Sequence, residues 1–289
     1  MRIINFSKNG TPTLGVRRKD QIVDLSIAAP SLPRDLRGLL EAGDKAMAEA
    51  QHAAEAAGDD ALVAADGLTY LPPIENADKY LCIGLNYVDH AEETNSPIPE
   101  YPIVFVRMRN SLAAHNQPME CAKATSQYDY EAELAVIVGK RTPRHVPKAD
   151  ALSYVAGYSC FNDGSLRDYQ FKSPQWTMGK SADATGGFGP EFVSADELPP
   201  GGAPLAIKCR LNGETMQDSN TDKMIFDTAT LISTLSELMT LEPGDVIITG
   251  TPPGVGAARD PQVFMKGGDV CEIEIEGIGT LVNPIVDEA

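Results

Sequence analysis

A succession of short apolar segments dominates the chain after residue 80, and only one strong helical pattern lies among them. The helix is predicted over 228–239, where apolar residues follow helical spacing. Because the strand segments do not alternate regularly with helices, a doubly wound or barrel α/β fold is disfavoured. We predict an α+β fold that is rich in antiparallel sheet. The predicted strands span residues 80–84, 103–106, 131–139, 154–161, 205–211, 246–249 and 270–275.

The N-terminal part of the chain has a different pattern. Three short strand segments, with an Asn-Gly hairpin signal between the first two, precede an Ala-rich helical segment at 36–57. Asp35 can cap this helix, and Gly58 can end it. A Pro-containing linker follows at 71–75. We therefore predict two domains, a small α+β domain over 1–72 and a catalytic domain over 73–289.

Charge and hydropathy exclude several classes of protein. The 289 residues include 24 Lys and Arg against 41 Asp and Glu, a formal net charge of −17. Phosphate contacts need basic side chains, so neither a nucleic acid nor an anionic membrane surface is an expected partner. No apolar run is long enough to predict a transmembrane helix, and no secretory signal pattern is visible. The five cysteines form no CxxC pair, so we expect a cytoplasmic protein.

Two carboxylates occur at alternating positions in a predicted strand. Side chains alternate between the faces of a strand, so Glu131 and Glu133 point the same way. Such a pair is repulsive unless a cation lies between the two groups. The alternatives are a solvated strand face and a metal site.

A third carboxylate favours the metal site. Asp163 lies where a predicted strand meets a short helix, on which Arg167 and Gln170 share a face. Carboxylate oxygens are hard ligands, so the set with Glu131 and Glu133 favours Mg²⁺, Mn²⁺ or Ca²⁺ over zinc. Three positions of an octahedral ion would remain for water and a chelating substrate.

A candidate base lies near the start of the second half. His90 and Glu93 are three residues apart, so one helical turn brings them together. A carboxylate orients an imidazole and supports its protonated form, which suits a general base near neutral pH. The alternative is an ordinary pair on a helix surface. The polar segment 94–100 resembles a mobile lid.

Together these motifs resemble the fumarylacetoacetate hydrolase family, over residues from about 80 to 284. The resemblance implies a catalytic fold described as a mixed β-sandwich or β-roll, a bound Mg²⁺ or Mn²⁺, a homodimer, and a small 2-oxo or 2,4-dioxo acid as substrate. The motifs occur in the family's order and read GLNYVDHAEE, YDYEAELAVIVG, GYSCFNDGSLRDYQ, GKSAD, LNGETMQDSNTDKMIF, LEPGDVIITGTPPGVG and KGGDVCEIEIEGIGTLVNP.

The resemblance also implies residue roles. Arg107 replaces a lysine found in many members after the lid, and it could bind a substrate carboxylate through two hydrogen bonds. Ile83 stands where larger members have an extra aspartate ligand, so three carboxylates are expected. The matches assign metal binding to Glu131, Glu133 and Asp163, and water activation to His90 and Glu93. They place Lys180 near the metal. They assign substrate binding to Arg167, Gln170 and Thr251.

These roles imply hydrolysis of a carbon–carbon bond in an acylpyruvate, fumarylpyruvate or diketo-deoxy sugar acid, giving pyruvate and a carboxylic acid. His90, held by Glu93, would activate water for attack on the 4-carbonyl. The metal and Lys180 would stabilise the pyruvate enolate that leaves. Decarboxylation of oxaloacetate and isomerisation of a hydroxymuconate-type diacid remain alternatives on the same scaffold. A non-enzymatic metal-binding scaffold is the remaining rival.

Overall fold

The computed structural model describes all residues from 1 to 289 and contains nineteen strands. Their bounds are β1 Arg2–Lys8, β2 Thr11–Arg18, β3 Gln21–Asp24, β4 Leu62–Ala64, β5 Thr69–Tyr70, β6 Tyr80–Gly84, β7 Ile103–Val106, β8 Leu112–Ala114, β9 Met119–Cys121, β10 Tyr128–Asp129, β11 Ala132–Val138, β12 Val155–Asn162, β13 Ser165–Leu166, β14 Gly186–Ser194, β15 Ala206–Leu211, β16 Glu214–Asn220, β17 Val246–Ile248, β18 Val270–Ile275 and β19 Gly279–Asp287.

Seven α-helices connect these strands, and most are short. Their bounds are α1 Leu25–Ala28, α2 Leu36–Glu41, α3 Asp44–Ala56, α4 Val88–Glu93, α5 Arg167–Gln170, α6 Thr177–Lys180 and α7 Thr228–Leu238. None of them combines the length and the hydropathy that a membrane span requires.

The strands form one large mixed sheet, a five-stranded sheet and a small two-stranded ribbon. The large sheet has the order β4-β3-β2-β1-β14-β12-β11-β17-β6-β7, with β5 paired to β1 and β8 to β14. Most neighbours are antiparallel, but β17 runs parallel to β6 and β8 parallel to β14. The five-stranded sheet has the order β16-β15-β18-β19-β9. The α+β prediction is therefore confirmed.

Strand β11 lies in the middle of the large sheet and separates two apolar layers. Leu134 and Val136 pack in the layer that includes Ile207 and Ile273 of the five-stranded sheet. Ile137 faces the opposite layer, which includes side chains of the N-terminal helices. Burial on both faces fixes the register of β11, because a slip of one residue would exchange its faces. The end of this strand is therefore a rigid base for side chains.

The N-terminal segment extends the large sheet. Strand β1 pairs antiparallel with β14, with Arg2 opposite Val193 and Ile3 opposite Phe192. The domain boundary near residue 72 stays a prediction, and hydrogen bonds between strands cross it. The single helix predicted over 36–57 is two helices, α2 and α3. Gly43, with φ of 80°, separates them.

Candidate active site

Three carboxylates converge at one end of β11. Glu131 and Glu133 flank the first residue of the strand, and Asp163 directly follows β12. Ala132 pairs with Asn162 across the two strands, and the Asp163 backbone N donates a hydrogen bond of 2.9 Å to the Glu131 carbonyl. Sheet pairing therefore brings residues 32 positions apart together. One oxygen of each carboxylate lies within 4.8 Å of the others, and all three residues are buried.

Three cations contact this cluster, and two of them, Lys180 and Arg167, contact Glu131. The Lys180 Nζ lies 2.7 Å from Glu131 Oε2 and 2.6 Å from Asp163 Oδ2. The Arg167 Nη1 lies 2.6 Å from Glu131 Oε1. Burial alone would raise the pKa of Glu131, but the charges of Lys180 and Arg167 outweigh it and hold the pKa below its usual range. Burial disfavours the charged lysine, yet Asp163 and Glu131 raise its pKa, so Lys180 carries its charge.

Glu133 is the carboxylate without a basic partner. It accepts a hydrogen bond of 2.5 Å from the Gly250 backbone N, and no basic side chain lies within salt-bridge distance of it. Burial, followed by the charges of Asp163 and Glu131, raises the pKa of Glu133 well above its ordinary value. A cation next to Glu133 would reverse this effect. The oxygen-only donor set therefore fits a hard divalent ion.

The charge balance of the buried cluster supports the same fit. Three cations face four carboxylates, which leaves a formal charge of 3 − 4 = −1 before any metal is counted. An uncompensated buried charge is costly, and a bound divalent ion would change the balance from −1 to +1, which favours an anionic ligand at the site. The seven groups are Arg107, Arg167, Lys180, Asp129, Glu131, Glu133 and Asp163.

The hydrogen bond to Glu133 depends on a glycine. Gly250 follows β17 with φ of +100°, a conformation that side chains rarely adopt. A Cβ atom there would lie 2.7 Å from the Asn86 Cβ and 3.0 Å from the Ile83 carbonyl oxygen. The first glycine of the GTPPGVG motif therefore allows the backbone to approach the Glu133 carboxylate closely.

The His90–Glu93 pair forms as the spacing predicts. Both residues lie on α4, and the His90 Nδ1 is 3.3 Å from Glu93 Oε2. Glu93 Oε1 accepts a hydrogen bond of 2.8 Å from the Gly254 backbone N. The imidazole is buried, whereas the Glu93 side chain is 22% exposed. Glu93 is thus fixed by the loop that follows β17, and His90 is oriented by Glu93.

A cavity of about 530 Å³ joins the carboxylate cluster to this pair. Its apolar wall includes Phe105, Trp176 and Ile83, and Thr94, Asn95 and Ser96 of the predicted lid also contribute. The predicted site residues that line it are His90, Glu93, Glu131, Glu133, Arg167, Gln170, Lys180 and Thr251.

Gln170 and Thr251, which the sequence predicts to bind substrate, are held by neighbouring side chains. Gln170 Oε1 accepts a hydrogen bond of 3.0 Å from the Arg167 Nη1. Thr251 Oγ1 accepts one of 2.8 Å from the Gln217 Nε2. Gln217 also accepts a hydrogen bond from the backbone N of Ala132, between the two glutamates. This buried glutamine therefore ties Thr251 to the carboxylate strand.

Arg107 does not reach the cavity, which differs from its expected contact with substrate. It is 2% exposed, and its Nη1 lies 2.6 Å from Asp163 Oδ1. The same Nη1 also donates to the Gly164 carbonyl, whereas Nε donates to the Ser111 hydroxyl and Nη2 to the Thr185 hydroxyl. All three nitrogens of the guanidinium that could bind a substrate carboxylate are therefore engaged inside the protein. Arg107 thus stabilises Asp163, which is a candidate metal ligand.

We predict that Arg107→Met lowers the free energy of unfolding by about 3–5 kcal/mol, because it leaves the buried Asp163 without one of its cations. Urea unfolding followed by circular dichroism measures the loss. Arg109→Met is the matched control, since Arg109 is exposed and only two residues away. A variant as stable as the control, with only the KM raised, would restore the substrate-binding role.

Asp129 is a site residue for which sequence reasoning assigned no role. Its carboxylate is fully buried and lies 2.9 Å from the Arg167 Nη2. The signal was present, because Asp129, Glu131 and Glu133 alternate along the chain. Gln217 had no comparable local signal, since it reaches the site from the five-stranded sheet.

Residues 79–286 match the family model described as the C-terminal domain of fumarylacetoacetate (FAA) hydrolase. The chain is 39% identical over 292 aligned residues to "Oxaloacetate tautomerase fahd2, mitochondrial" of Xenopus laevis, covering 99% of this chain and 90% of that protein.

Two solved structures share the fold along the whole chain. The fumarylacetoacetate hydrolase of the psychrophile Exiguobacterium antarcticum superposes with a TM-score of 0.86 at 32% identity, covering 100% of both chains. The maleylpyruvate hydrolase of Sphingobium sp. SYK-6, in complex with manganese(II) and pyruvate, gives a TM-score of 0.81 at 26% identity, again over 100% of both chains.

Proposed function

Because the chain belongs to the fumarylacetoacetate hydrolase family, we propose that it is a divalent-metal-dependent enzyme that interconverts the enol and keto forms of oxaloacetate. The observation that carries this proposal is the arrangement of the cavity. A His–Glu pair with a buried imidazole lines it together with a carboxylate cluster that holds a lysine and an arginine. The tautomerase name of the Xenopus relative supports the choice of substrate.

The metal would be held by Glu131, Glu133 and Asp163, and Mg²⁺ or Mn²⁺ fits their oxygens. When bound, such an ion supplies Lewis acidity that polarises the 2-oxo group and favours the enolate. The manganese(II) complex of the Sphingobium hydrolase supports a similar ion here.

The chain's own residues supply proton transfer and charge stabilisation. Towards the keto form, the enol O–H bond breaks and a C3–H bond forms, so the reaction needs no other reactant. His90, oriented by Glu93, is the proposed carrier of the proton at C3. Lys180 is the proposed stabiliser of the negative charge on the 2-oxygen.

Binding of the two carboxylates is assigned to other side chains. Arg167 lines the cavity with a fixed guanidinium, which suits a carboxylate. Thr251 and Gln170 also face the cavity and can accept or donate hydrogen bonds. The apolar wall with Phe105 and Trp176 would exclude bulk water from the enolate.

A second candidate is hydrolysis of an acylpyruvate. The His90–Glu93 pair favours it, because this reaction needs an activated water molecule. Both reactions pass through the enolate of a 2-oxo acid, so the same lysine and carboxylates would serve either. The name of the Sphingobium hydrolase is in line with this candidate.

Proton NMR separates the candidates in one experiment. Purified protein with Mg²⁺ is mixed with oxaloacetate, with a panel of acylpyruvates and dioxo sugar acids, and with a hydroxymuconate-type diacid. Faster enol–keto exchange without pyruvate supports the tautomerase. Pyruvate from oxaloacetate indicates decarboxylation, pyruvate from an acylpyruvate indicates hydrolysis, and a shifted double bond in the diacid indicates isomerisation. No turnover of any substrate would overturn the enzymatic proposal.

We expect EDTA to abolish activity and Mg²⁺ or Mn²⁺ to restore it, because the donor set consists of carboxylate oxygens. Initial rates are measured before chelation, after chelation and after each metal is added. Zn²⁺ serves as the control ion, since it prefers nitrogen and sulfur ligands. Full activity in a preparation shown by elemental analysis to be metal-free would contradict this prediction.

A homodimer and a cytoplasmic location also remain proposals. Light scattering on the purified protein tests the dimer. The printed name of the Xenopus relative assigns that protein to mitochondria, so imaging of the tagged chain in its own cells is the test of location.

A further inference from the structure

Asp129 holds two parts of the cavity with one carboxylate. It is 0% exposed and lies at the end of β10, two residues before Glu131. Its Oδ1 accepts hydrogen bonds from the backbone N of Tyr130 at 2.9 Å and of Gly256 at 2.7 Å. Its Oδ2 accepts from the Ala257 backbone N and from the Arg167 Nε, both at 2.9 Å. These four donors replace the hydrogen bonds to water that the buried carboxylate has lost.

The first connection fixes the Arg167 guanidinium. Asp129 binds its Nε, whereas Glu131 and Gln170 both bind its Nη1. The Nη2 lies 2.9 Å from Asp129 Oδ2, but it is not aligned for a hydrogen bond and has no other partner. A buried donor without an acceptor carries a free-energy cost. Arg167 therefore keeps an unused N–H in the side chain that lines the cavity.

The second connection fixes the loop after β17. Gly256 and Ala257, whose N–H groups bind Asp129, are two and three residues after Gly254. The Gly254 N–H in turn binds Glu93 Oε1. The loop is tightly seated, because a Cβ atom on Gly256 would lie 1.8 Å from the Val263 carbonyl oxygen. Asp129 is thus connected to the His90–Glu93 pair through the backbone of residues 254–256.

We propose that Asp129 is a positioning residue, which holds the Arg167 guanidinium and the loop 254–257 in the one arrangement that serves substrate binding and the His90–Glu93 pair. The proposal rests on the function proposed above. Asp129 does not line the cavity and touches no reacting atom, so it acts only through these two neighbours.

The test compares Asp129→Asn with the wild type. An amide keeps the shape but places an NH₂ group against N–H donors, so one or both connections break. We expect kcat/KM for oxaloacetate to fall about 10–100-fold, the loss typical of partners that orient a site. KM should rise because the Arg167 guanidinium is no longer fixed for substrate binding. The kcat should fall because the loop that holds Glu93 is no longer fixed.

Asp24→Asn is the matched control. Asp24 is also 0% exposed, binds a lysine and accepts a backbone hydrogen bond, but it lies on β3 and does not line the cavity. A similar loss of stability with unchanged kinetics is expected for it. If Asp129→Asn likewise loses only stability, and both KM and the kcat per folded molecule are unchanged, the positioning role is wrong.

Binding of oxalate separates this proposal from the proposed function. Oxalate carries two carboxylates and cannot enolise, so calorimetry in the presence of Mg²⁺ reports the site without turnover. Weaker oxalate binding by Asp129→Asn supports positioning even if the wild type fails to tautomerise oxaloacetate. Unchanged oxalate binding and an unchanged KM would show that Asp129 does not position Arg167.

A second variant covers the case in which Asp129→Asn does not fold. Arg167→Lys keeps the charge but removes the fork that spans Asp129 and Glu131. We expect a raised KM and weaker oxalate binding, and values equal to the wild type would overturn the proposal. If Asp129→Asn does fold, the double variant should lose about as much as the more affected single variant, and multiplied losses would show independent action.

Discussion

Glu133→Gln should lower kcat/KM by more than about 100-fold and leave the fold intact, because it removes a proposed metal ligand and not merely a residue that orients one. Glu133 forms no ion pair and accepts a single backbone hydrogen bond, which the glutamine carbonyl can also accept. The measurements are steady-state kinetics over a range of Mg²⁺ concentrations, Mn²⁺ binding by electron paramagnetic resonance, and thermal unfolding by circular dichroism.

Glu133 is a cleaner choice than the other two carboxylates. Asp163→Asn would leave the buried Arg107 without its carboxylate, so lost stability would be mixed with lost metal binding. Glu214→Gln is the matched control, since Glu214 is exposed on β16. Unchanged kinetics and Mn²⁺ affinity for Glu133→Gln would show that the cluster is only a set of buried ion pairs.

His90→Ala is expected to lower the rate of oxaloacetate tautomerisation by about 10²–10⁴-fold, the usual effect of removing a general acid or base. Hydrolysis of an acylpyruvate, if present, should fall by a similar factor. Any decarboxylation of oxaloacetate should fall much less, because it depends chiefly on stabilisation of the enolate. The kcat values for all three reactions are measured for each variant.

Glu93→Gln should act in the same direction, because a neutral partner orients the imidazole less firmly. His52→Ala is the control, since His52 is exposed and lies outside the cavity. Equal losses in all three reactions would mean that the pair does not transfer protons and instead supports the shape of the cavity. The assignment of His90 would then fail, whereas the proposed metal ligands would not be affected.

Local patterns predicted much of this molecule. The alternation of Glu131 and Glu133 placed both on one face, and the register of β11 against β12 brings Asp163 beside them. The three-residue spacing of His90 and Glu93 likewise needed only one helical turn. Such features depend on a few neighbouring residues, so they are visible in the sequence.

Contacts between distant segments were not predictable in the same way. Arg107 could not be assigned to Asp163 without knowing that β7 and β12 lie in one sheet. The hydrogen bonds of Gln217 required the position of the five-stranded sheet. The division of the helix at Gly43 was missed because the high helix propensity of the Ala-rich segment masked a single break.

The pairing of β1 with β14 also matters to protein engineers. From β1 to β11 there are three steps across the sheet, through β14 and β12, or roughly 14 Å at ~4.8 Å a step. A chimera joined at residue 72 would pair β1 of one parent with β14 of the other, close to the strands that carry the carboxylates. The N-terminal strands and the strands that carry the carboxylates are therefore best taken from the same parent.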